Sequence, residues 1–329
     1  MSIDIIIPYF QRTPGILKEA VRSVMAQTVT DWHLIIIDDG SPYPAKNELD
    51  EFSDCELASI RIIEQPNGGV SAARNRGLEN VRPDARFVAF LDSDDFWSKE
   101  HLQTAVTALD LGADMFWGQV ATDGSFDTDS APSDIVPPDQ RNSTIESGTY
   151  LSQHLPRMLV GEWWRHMHLS ATVMRAELAA RIRFDTKLRS TEDFDFFRRA
   201  AALSPTVCFS DHVSVTRGVA DNIWHNLEFE DPRVAQERYN TFQQLTLLTE
   251  LPGLSDHDHA VLQWRRNVAR EQFIWTQFNR RAKGDPIQFN LIFKWLMMDP
   301  GLLQTVYRLK TKPNDTAQIA GIPKREELT

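Results

Sequence analysis

The sequence predicts an α/β fold with a mainly parallel central sheet flanked by helices, followed by a helical C-terminal region. Three observations carry this. Short apolar runs recur at residues 3–7, 34–37, 60–63 and 87–91. Segments with helical spacing of apolar residues lie between them. Beyond about Phe229 only helical periodicity remains. Buried runs that alternate with helices imply right-handed β-α-β units and a parallel sheet covered on both faces.

Taken in order, the first run is β-branched and stops at Pro8. From Pro14, Ile16, Leu17, Ala20, Val21, Val24 and Met25 share one helical face. The second run ends in Asp38-Asp39-Gly40-Ser41, and the third leads through Gln65-Pro66-Asn67-Gly68-Gly69 into a helix over residues 70–78. The fourth runs into Asp92-Ser93-Asp94-Asp95. Polar punctuation closes every one of these strands at its C-terminal end, the edge where open α/β sheets bind ligands. Residues 118–148, rich in Asp, Ser, Thr and Pro, read as loops. A strand at 169–174 and a helix starting near Glu192 come next. Trp264, Phe273, Trp275, Phe278, Phe289, Phe293 and Trp295 punctuate the late helices, and the polar stretch after Lys310 reads as a mobile tail.

The 329 residues suffice for one large domain or two, and the pattern divides them at 1–117, 118–227 and 228–329. With 35 Lys+Arg against 46 Asp+Glu the net charge is −11, which argues against nucleic-acid binding. Two cysteines, Cys55 and Cys208, make no disulfide framework and fit a reducing compartment. No basic, apolar leader opens the chain, and the most apolar late stretch, 291–298, is broken by Lys294 and closed by Asp299-Pro300. The expectation is a cytoplasmic chain, at most resting on a membrane surface.

Three carboxylates within Asp92-Ser93-Asp94-Asp95 repel one another at a strand end and call for positive charge, such as a hard divalent cation. An isolated Asp-Ser-Asp is more often an acidic turn or helix cap. The Asp38-Asp39-Gly40 turn has the same ambiguity, but a second acidic strand end in one sheet points to a common crevice. Asn67-Gly68-Gly69 feeds a helix carrying Arg74 and Arg76; its adjacent glycines do not match the dinucleotide-binding G-x-G-x-x-G.

Together these residues resemble the family 2 glycosyltransferases, which have the Rossmann-like GT-A fold. The resemblance rests on Ile5-Ile6-Ile7-Pro8-Tyr9-Phe10, Ile37-Asp38-Asp39-Gly40-Ser41, Asn67 through Asn75, Phe90-Leu91-Asp92-Ser93-Asp94-Asp95 and Thr191-Glu192-Asp193. Within the family it is closest to bacterial exopolysaccharide glucosyltransferases of the succinoglycan ExoW type, through Ser41-Pro42-Tyr43-Pro44 and Asn222-Ile223-Trp224-His225.

The resemblance implies a nucleotide-sugar-binding half over 1–117, an acceptor-binding half over 118–227 and a helical extension over 228–329. It implies that Pro8 and Phe10 pack beside the nucleobase of a UDP-sugar, that Asp39 accepts from the uracil N–H, and that Asn67 and Arg74 complete the pocket. Asp92 approaches the ribose or the metal, and Asp94 holds Mn²⁺ or Mg²⁺ against the diphosphate, with Asp95 as a possible partner. Asp193, with Glu192 beside it, deprotonates the acceptor hydroxyl in a single inverting displacement. His225 is the favoured histidine ligand over His212; the family's Arg-x-His is absent, because Arg217 is followed by Gly218-Val219. His166-Met167-His168 resembles a metal pair only superficially, since alternate residues of a strand oppose each other.

The implied reaction is β-transfer of a hexose, glucose above others, from a UDP-sugar to a lipid-linked exopolysaccharide intermediate. UDP-galactose, a UDP-N-acetylhexosamine, a lipopolysaccharide acceptor and a non-catalytic sugar-binding protein stand as alternatives. Trp163-Trp164 offers a stacking face for an acceptor sugar or ordinary core packing. Arg265, Arg266, Arg270, Arg280 and Arg281, interleaved with aromatics, form either a surface for the cytoplasmic face of the inner membrane or a solvated basic face.

Overall fold

The computed structural model describes residues 2–121, 141, 143–146, 148–153, 155–160, 168–218, 228 and 231–311. The chain forms two compact units, Met1–Met158 with Glu162–Ala220, and Leu159–Gly161 with Asp221–Thr329.

The first unit is built on one ten-stranded sheet. Its strands are β1 (Ile3–Tyr9), β2 (Trp32–Asp38), β3 (Ile60–Glu64), β4 (Phe87–Phe90), β5 (Asp95–Trp97), β6 (Met115–Ala121), β7 (Ser143–Glu146), β8 (Thr149–Ser152), β9 (Thr172–Arg175) and β10 (Val207–Arg217). They lie in the order β3-β2-β1-β4-β9-β6-β10-β8-β7, with β5 on β10. The run β3-β2-β1-β4 is parallel throughout, as the alternating apolar runs require. Every residue of β1 is buried, so its sequence is apolar on both faces. The one charge within it, Asp4, accepts from the backbone N–H and the guanidinium of Arg82.

Helices α1 (Leu17–Met25), α2 (Ala45–Glu48), α3 (Asp54–Leu57), α4 (Val70–Glu79) and α5 (His101–Asp110) connect these strands. Helix α4 lies so close to β1 that a Cβ on Gly77 would stand 2.4 Å from Cγ2 of Ile6, so glycine is required there. Further on come α6 (Leu155–Val160), α7 (Ala176–Ala180) and α8 (Glu192–Ala201).

Past β4 the sheet becomes mixed. Strand β9 enters antiparallel between β4 and β6, while β6 and β10 are parallel. Two expectations change here. Residues 118–148, expected as loops, contribute the end of β6 and all of β7, whose partner β8 begins at Thr149. The strand expected at 169–174 is a 3₁₀ turn, Leu169–Ala171, followed by β9. Ser170, wholly buried, turns the chain there by bonding two residues of the Asp92–Asp95 turn.

The second unit contains α9 (Pro232–Leu248), α10 (Asp256–Lys283), α11 (Phe289–Met298) and α12 (Gly301–Thr311). Helix α9 starts with Asp231 as cap and Pro232 in the first turn, and α10 starts with a Ser255–Asp258 capping box and ends on Gly284. Trp295 is fully buried, with ring centroids of Phe273, Phe242 and Tyr239 at 4.4, 5.0 and 5.7 Å.

Three arginines of the α10 cluster hold this unit together. Arg270 pairs with Asp299, Arg280 bonds the Pro286 carbonyl, and Arg265 bonds the carbonyls of Leu159 and Val160. Phe273 is in the core. Arg270, Arg280 and Phe273 turn inward, while Trp275 and Arg281 stay exposed. No helix among the described residues is long and apolar enough to cross a membrane.

Candidate active site

The C-terminal edge of the parallel strands gathers the acidic motifs. After β4, the Leu91 N–H donates to the Ile6 carbonyl, and the chain turns with the Asp95 N–H on the Asp92 carbonyl at 3.1 Å. The Asp92 N–H donates to Ser170 Oγ at 3.0 Å, and that hydroxyl donates to Asp95 Oδ2 at 2.6 Å. Gly218, at the end of β10, lies against this turn. A Cβ there would fall 1.7 Å from the Asp94 carbonyl oxygen, so the residue after Arg217 must be glycine.

Arg74 ties the distant motifs together. Its guanidinium, 5% exposed, donates to Asp92 at 2.8 Å and to Glu192 at 3.1 Å. It also lies 5.3 Å over the ring of Phe184. Phe184 is fixed in turn by Asn75, whose side chain donates to its carbonyl and accepts from its N–H, both at 2.9 Å. Phe184 stacks on Phe196 of α8 at 4.2 Å, and Phe90 of β4 meets both rings edge-on. The strand and the helix that carry the acidic motifs thus share one aromatic cluster. At the start of α8, Thr191 adopts a left-handed backbone, φ 63°, immediately before Glu192 and Asp193.

The charges do not balance within this site. Burial works against the charged form of Asp92, yet Arg74, His168 and Arg217 together hold its carboxyl below the ordinary value. Burial, then Asp95 and Asp92, push Asp94 up to about 7. Burial and Asp92 push Asp95 up to about 7. Asp193 rises to about 6 through burial and Glu192, with Arg74 opposing. Burial keeps His168 below its ordinary value despite the neighbouring Asp92. A pocket holding this many carboxylates favours a cation.

Asp92, Asp95 and His168 each offer one ligand atom, all within 4.8 Å of one another. Nδ1 of His168 is buried without a hydrogen bond and stands 3.4 Å from Asp95 Oδ2. Two carboxylates and a neutral imidazole suit Mn²⁺, while Mg²⁺ is served by the carboxylates alone. Asp94, named from the sequence as the principal ligand, lies beside this group and not in it. His225, Trp163, Trp164 and His166 lie outside the described residues.

The residues expected to read the nucleotide take more local roles. Asp39, 2% exposed, accepts from the N–H groups of Gly68 and Gly69 at 2.8 Å each and from Gln65 Nε2 at 2.7 Å. About one of its four lone-pair positions is left for a ligand. Asn67 is exposed and donates to the Asp39 carbonyl at 3.0 Å. Phe10 is 38% exposed at the end of β1, with the Arg12 guanidinium 5.5 Å from its ring centroid. Pro8 is buried within β1, and Arg74 is turned to the acids.

Sequence reasoning passed over Ser170, Asn75 and Phe184 and dismissed His168 with its neighbour. Asn75 lay inside the resemblance, which gave it no role. In the sequence His168 looks like half of an alternating pair, whereas it precedes the 3₁₀ turn that brings it to Asp95.

Residues 4–179 match the model of Glycosyl transferase family 2. The chain is 33% identical to the succinoglycan biosynthesis protein ExoW of Rhizobium meliloti over 314 residues, 94% of this chain and 97% of that one. It is 27% identical to the uncharacterized glycosyltransferase EpsJ of Bacillus subtilis over 59% of this chain and 54% of that protein. Among solved structures, S. aureus TarS 1–349 in complex with UDP superposes with a TM-score of 0.58 at 17% identity, covering 93% of this chain and 81% of that one. Its complex with UDP-GlcNAc gives 0.57 over 84% and 81%. That likeness carries the GT-A fold, and the sequence match carries the family: the chain belongs to glycosyl transferase family 2.

Proposed function

We propose that this glycosyltransferase moves a hexose, glucose in the first instance, from a UDP-sugar to a lipid-linked exopolysaccharide intermediate, with inversion at the anomeric carbon. The observation that carries the reading is the Arg74 bridge between Asp92 and Glu192, residues of two acidic motifs far apart in the chain. It sets a cation-demanding carboxylate group and a helix-borne carboxyl pair within reach of one substrate.

Asp193 is the general base. Its carboxyl, raised to about 6, is more basic than an ordinary aspartate and still ionised at neutral pH. It takes the proton of an acceptor hydroxyl while that oxygen bonds to the anomeric carbon. The bond from that carbon to the UDP oxygen breaks on the opposite face, so an α-linked donor gives a β-linked product. Glu192, held by Arg74, fixes the first turn of α8, while Asp193, whose Oδ1 accepts from the Phe194 N–H, turns Oδ2 to the acceptor. Asp92, Asp95 and His168, with Asp94 beside them, would hold Mn²⁺ or Mg²⁺, which offsets charge on the departing diphosphate. Phe10 offers an exposed ring to the nucleobase, and Asp39 keeps the Gly68-Gly69 loop closed around it.

ExoW, by its name, takes part in succinoglycan biosynthesis, which supports an exopolysaccharide acceptor. TarS is solved with UDP and with UDP-GlcNAc, which supports a uridine donor and keeps the N-acetylhexosamine alternative in view. Transfer to a lipid-linked acceptor from a cytosolic sugar nucleotide sets the reaction on the cytoplasmic face of a membrane. Calorimetric titration with UDP, UDP-glucose, UDP-galactose and GDP, each in Mn²⁺ and in EDTA, tests the donor. Metal-dependent binding of UDP and UDP-glucose is expected. Binding of GDP alone, or equal binding in EDTA, overturns the reading.

A further inference from the structure

Helices α11 and α12 bury one face each and leave the other apolar. Inward, Leu291 and Trp295 of α11 and Leu302 and Leu309 of α12 enter the same core as Phe242 and Phe273. Outward, Phe289, Phe293 and Met297 recur at every fourth residue of α11 and are 71, 65 and 73% exposed. Leu303 and Tyr307 do the same on α12, at 61 and 72%. Five large apolar side chains facing away from one core exceed the scatter of single exposed hydrophobics on a soluble surface.

Charge indicates what covers them. The chain as a whole carries −11, yet the only carboxylate between 289 and 311 is Asp299, which is tied to Arg270. Lys294 and Lys310 are exposed on these two helices beside the apolar residues, and Arg308 pairs with Glu271. Apolar side chains bordered by lysine, with a tyrosine among them, suit the boundary between acyl chains and anionic headgroups. A second copy of the chain would set these lysines against their own kind across a two-fold axis. The stretch 312–329, with Lys312, Asp315, Lys324, Arg325, Glu326 and Glu327, is too polar to cover five large apolar groups.

We infer that the outward face of α11 and α12 docks on an anionic lipid surface, lying in the interface and not spanning it. The inference concerns a surface apart from the reaction, and it holds or fails independently of the donor and of Asp193.

The test is sedimentation of the full chain with vesicles of phosphatidylcholine alone or with a quarter phosphatidylglycerol, at low and high salt. Partition at least about tenfold stronger onto the anionic vesicles, weakened by salt, is expected. The triple variant F289S/F293S/M297S should lose about tenfold or more on both vesicle types, and K294E/K310E should lose the preference for phosphatidylglycerol. Unchanged melting of each variant shows that the fold is intact, since all five positions are exposed. Equal partition of wild type and both variants overturns the inference. So does light scattering that shows a dimer dissolved by the same substitutions with no lipid binding. Vesicle binding that appears only after residues 312–329 are removed also overturns it, by making that segment the cover.

Discussion

Replacing Arg74 with methionine tests the electrostatic frame of the site directly. The side chain is 5% exposed and is held by two carboxylates and the ring of Phe184. Methionine keeps most of the apolar packing and removes the charge, leaving Asp92 and Glu192 without their partner beside Asp94, Asp95 and Asp193. Removing one member of a buried ion pair costs about 3–5 kcal/mol. Side chains of Asp92 and Glu192 that are 24% and 15% exposed place the cost toward the low end. For a unit of this size, about 3 kcal/mol lowers Tm by roughly 6–12 °C. The assay is urea and thermal unfolding in EDTA, so that no cation takes the place of the guanidinium. The defect should shrink toward pH 5, because burial raises the Asp92 carboxyl once the guanidinium that opposes it is gone, and the acid then protonates in the folded state. Restoring neutrality with R74M/D92N/E192Q should recover at least half of the loss. A loss below about 1 kcal/mol in R74M, or an equal loss in the triple variant at neutral pH, refutes the frame.

Three further outcomes are expected. Asp94 and Asp95 have folded-state values of about 7, above the unfolded 3.8, so their contribution is complete below pH 3.8 and is lost as pH rises through about 7. Melting in EDTA should therefore fall between about pH 4 and 7 and level off above that, D95N should flatten the fall, and Mn²⁺ should protect most at the alkaline end; a flat wild-type profile contradicts this. On an open helix surface Gly→Ala stabilises by up to about 1 kcal/mol, but the 2.4 Å approach of a Cβ to Ile6 should make G77A destabilising by about 1–3 kcal/mol in urea melts. Thr191 holds φ 63° with its hydroxyl buried and unbonded, so T191G should gain about 1 kcal/mol, and a loss would show that the backbone there is not strained.

The parallel half of the fold was legible because β1, β2 and β4 are buried on nearly every residue and read as apolar runs, while β3, at the edge, still offers three partly buried isoleucines. Helix α8 was legible at its first residue, since Glu192 and Asp193 are acids in a first turn. The second half of the sheet was not. Strand β9 lies between β4 and β6, and β8 pairs with β10, so their stability comes from partners far away in the chain. The acidic motifs themselves were readable, but their arrangement was not. Arg74 and Arg76 sit two apart on one helix and look alike in sequence; Arg74 is buried between acids and Arg76 pairs at the surface with Glu79. His168 acquires its place only because Ser170 turns the chain onto Asp95. Likewise Arg270 and Arg280 looked like their neighbours on α10, and only the fold shows them held by Asp299 and the Pro286 carbonyl, while an apolar surface lies further on, in α11 and α12.

The central claim is that Asp193 is the base of a glycosyl transfer at this site. It is tested by comparing wild type and Asp193→Asn for donor turnover and, separately, for calorimetric affinity toward UDP-glucose in Mn²⁺. Asparagine keeps the shape and cannot take the proton, so turnover should fall by about 10²–10⁴ while donor affinity changes by less than about threefold. Turnover within about threefold of wild type would remove Asp193 from the reaction and the mechanism with it.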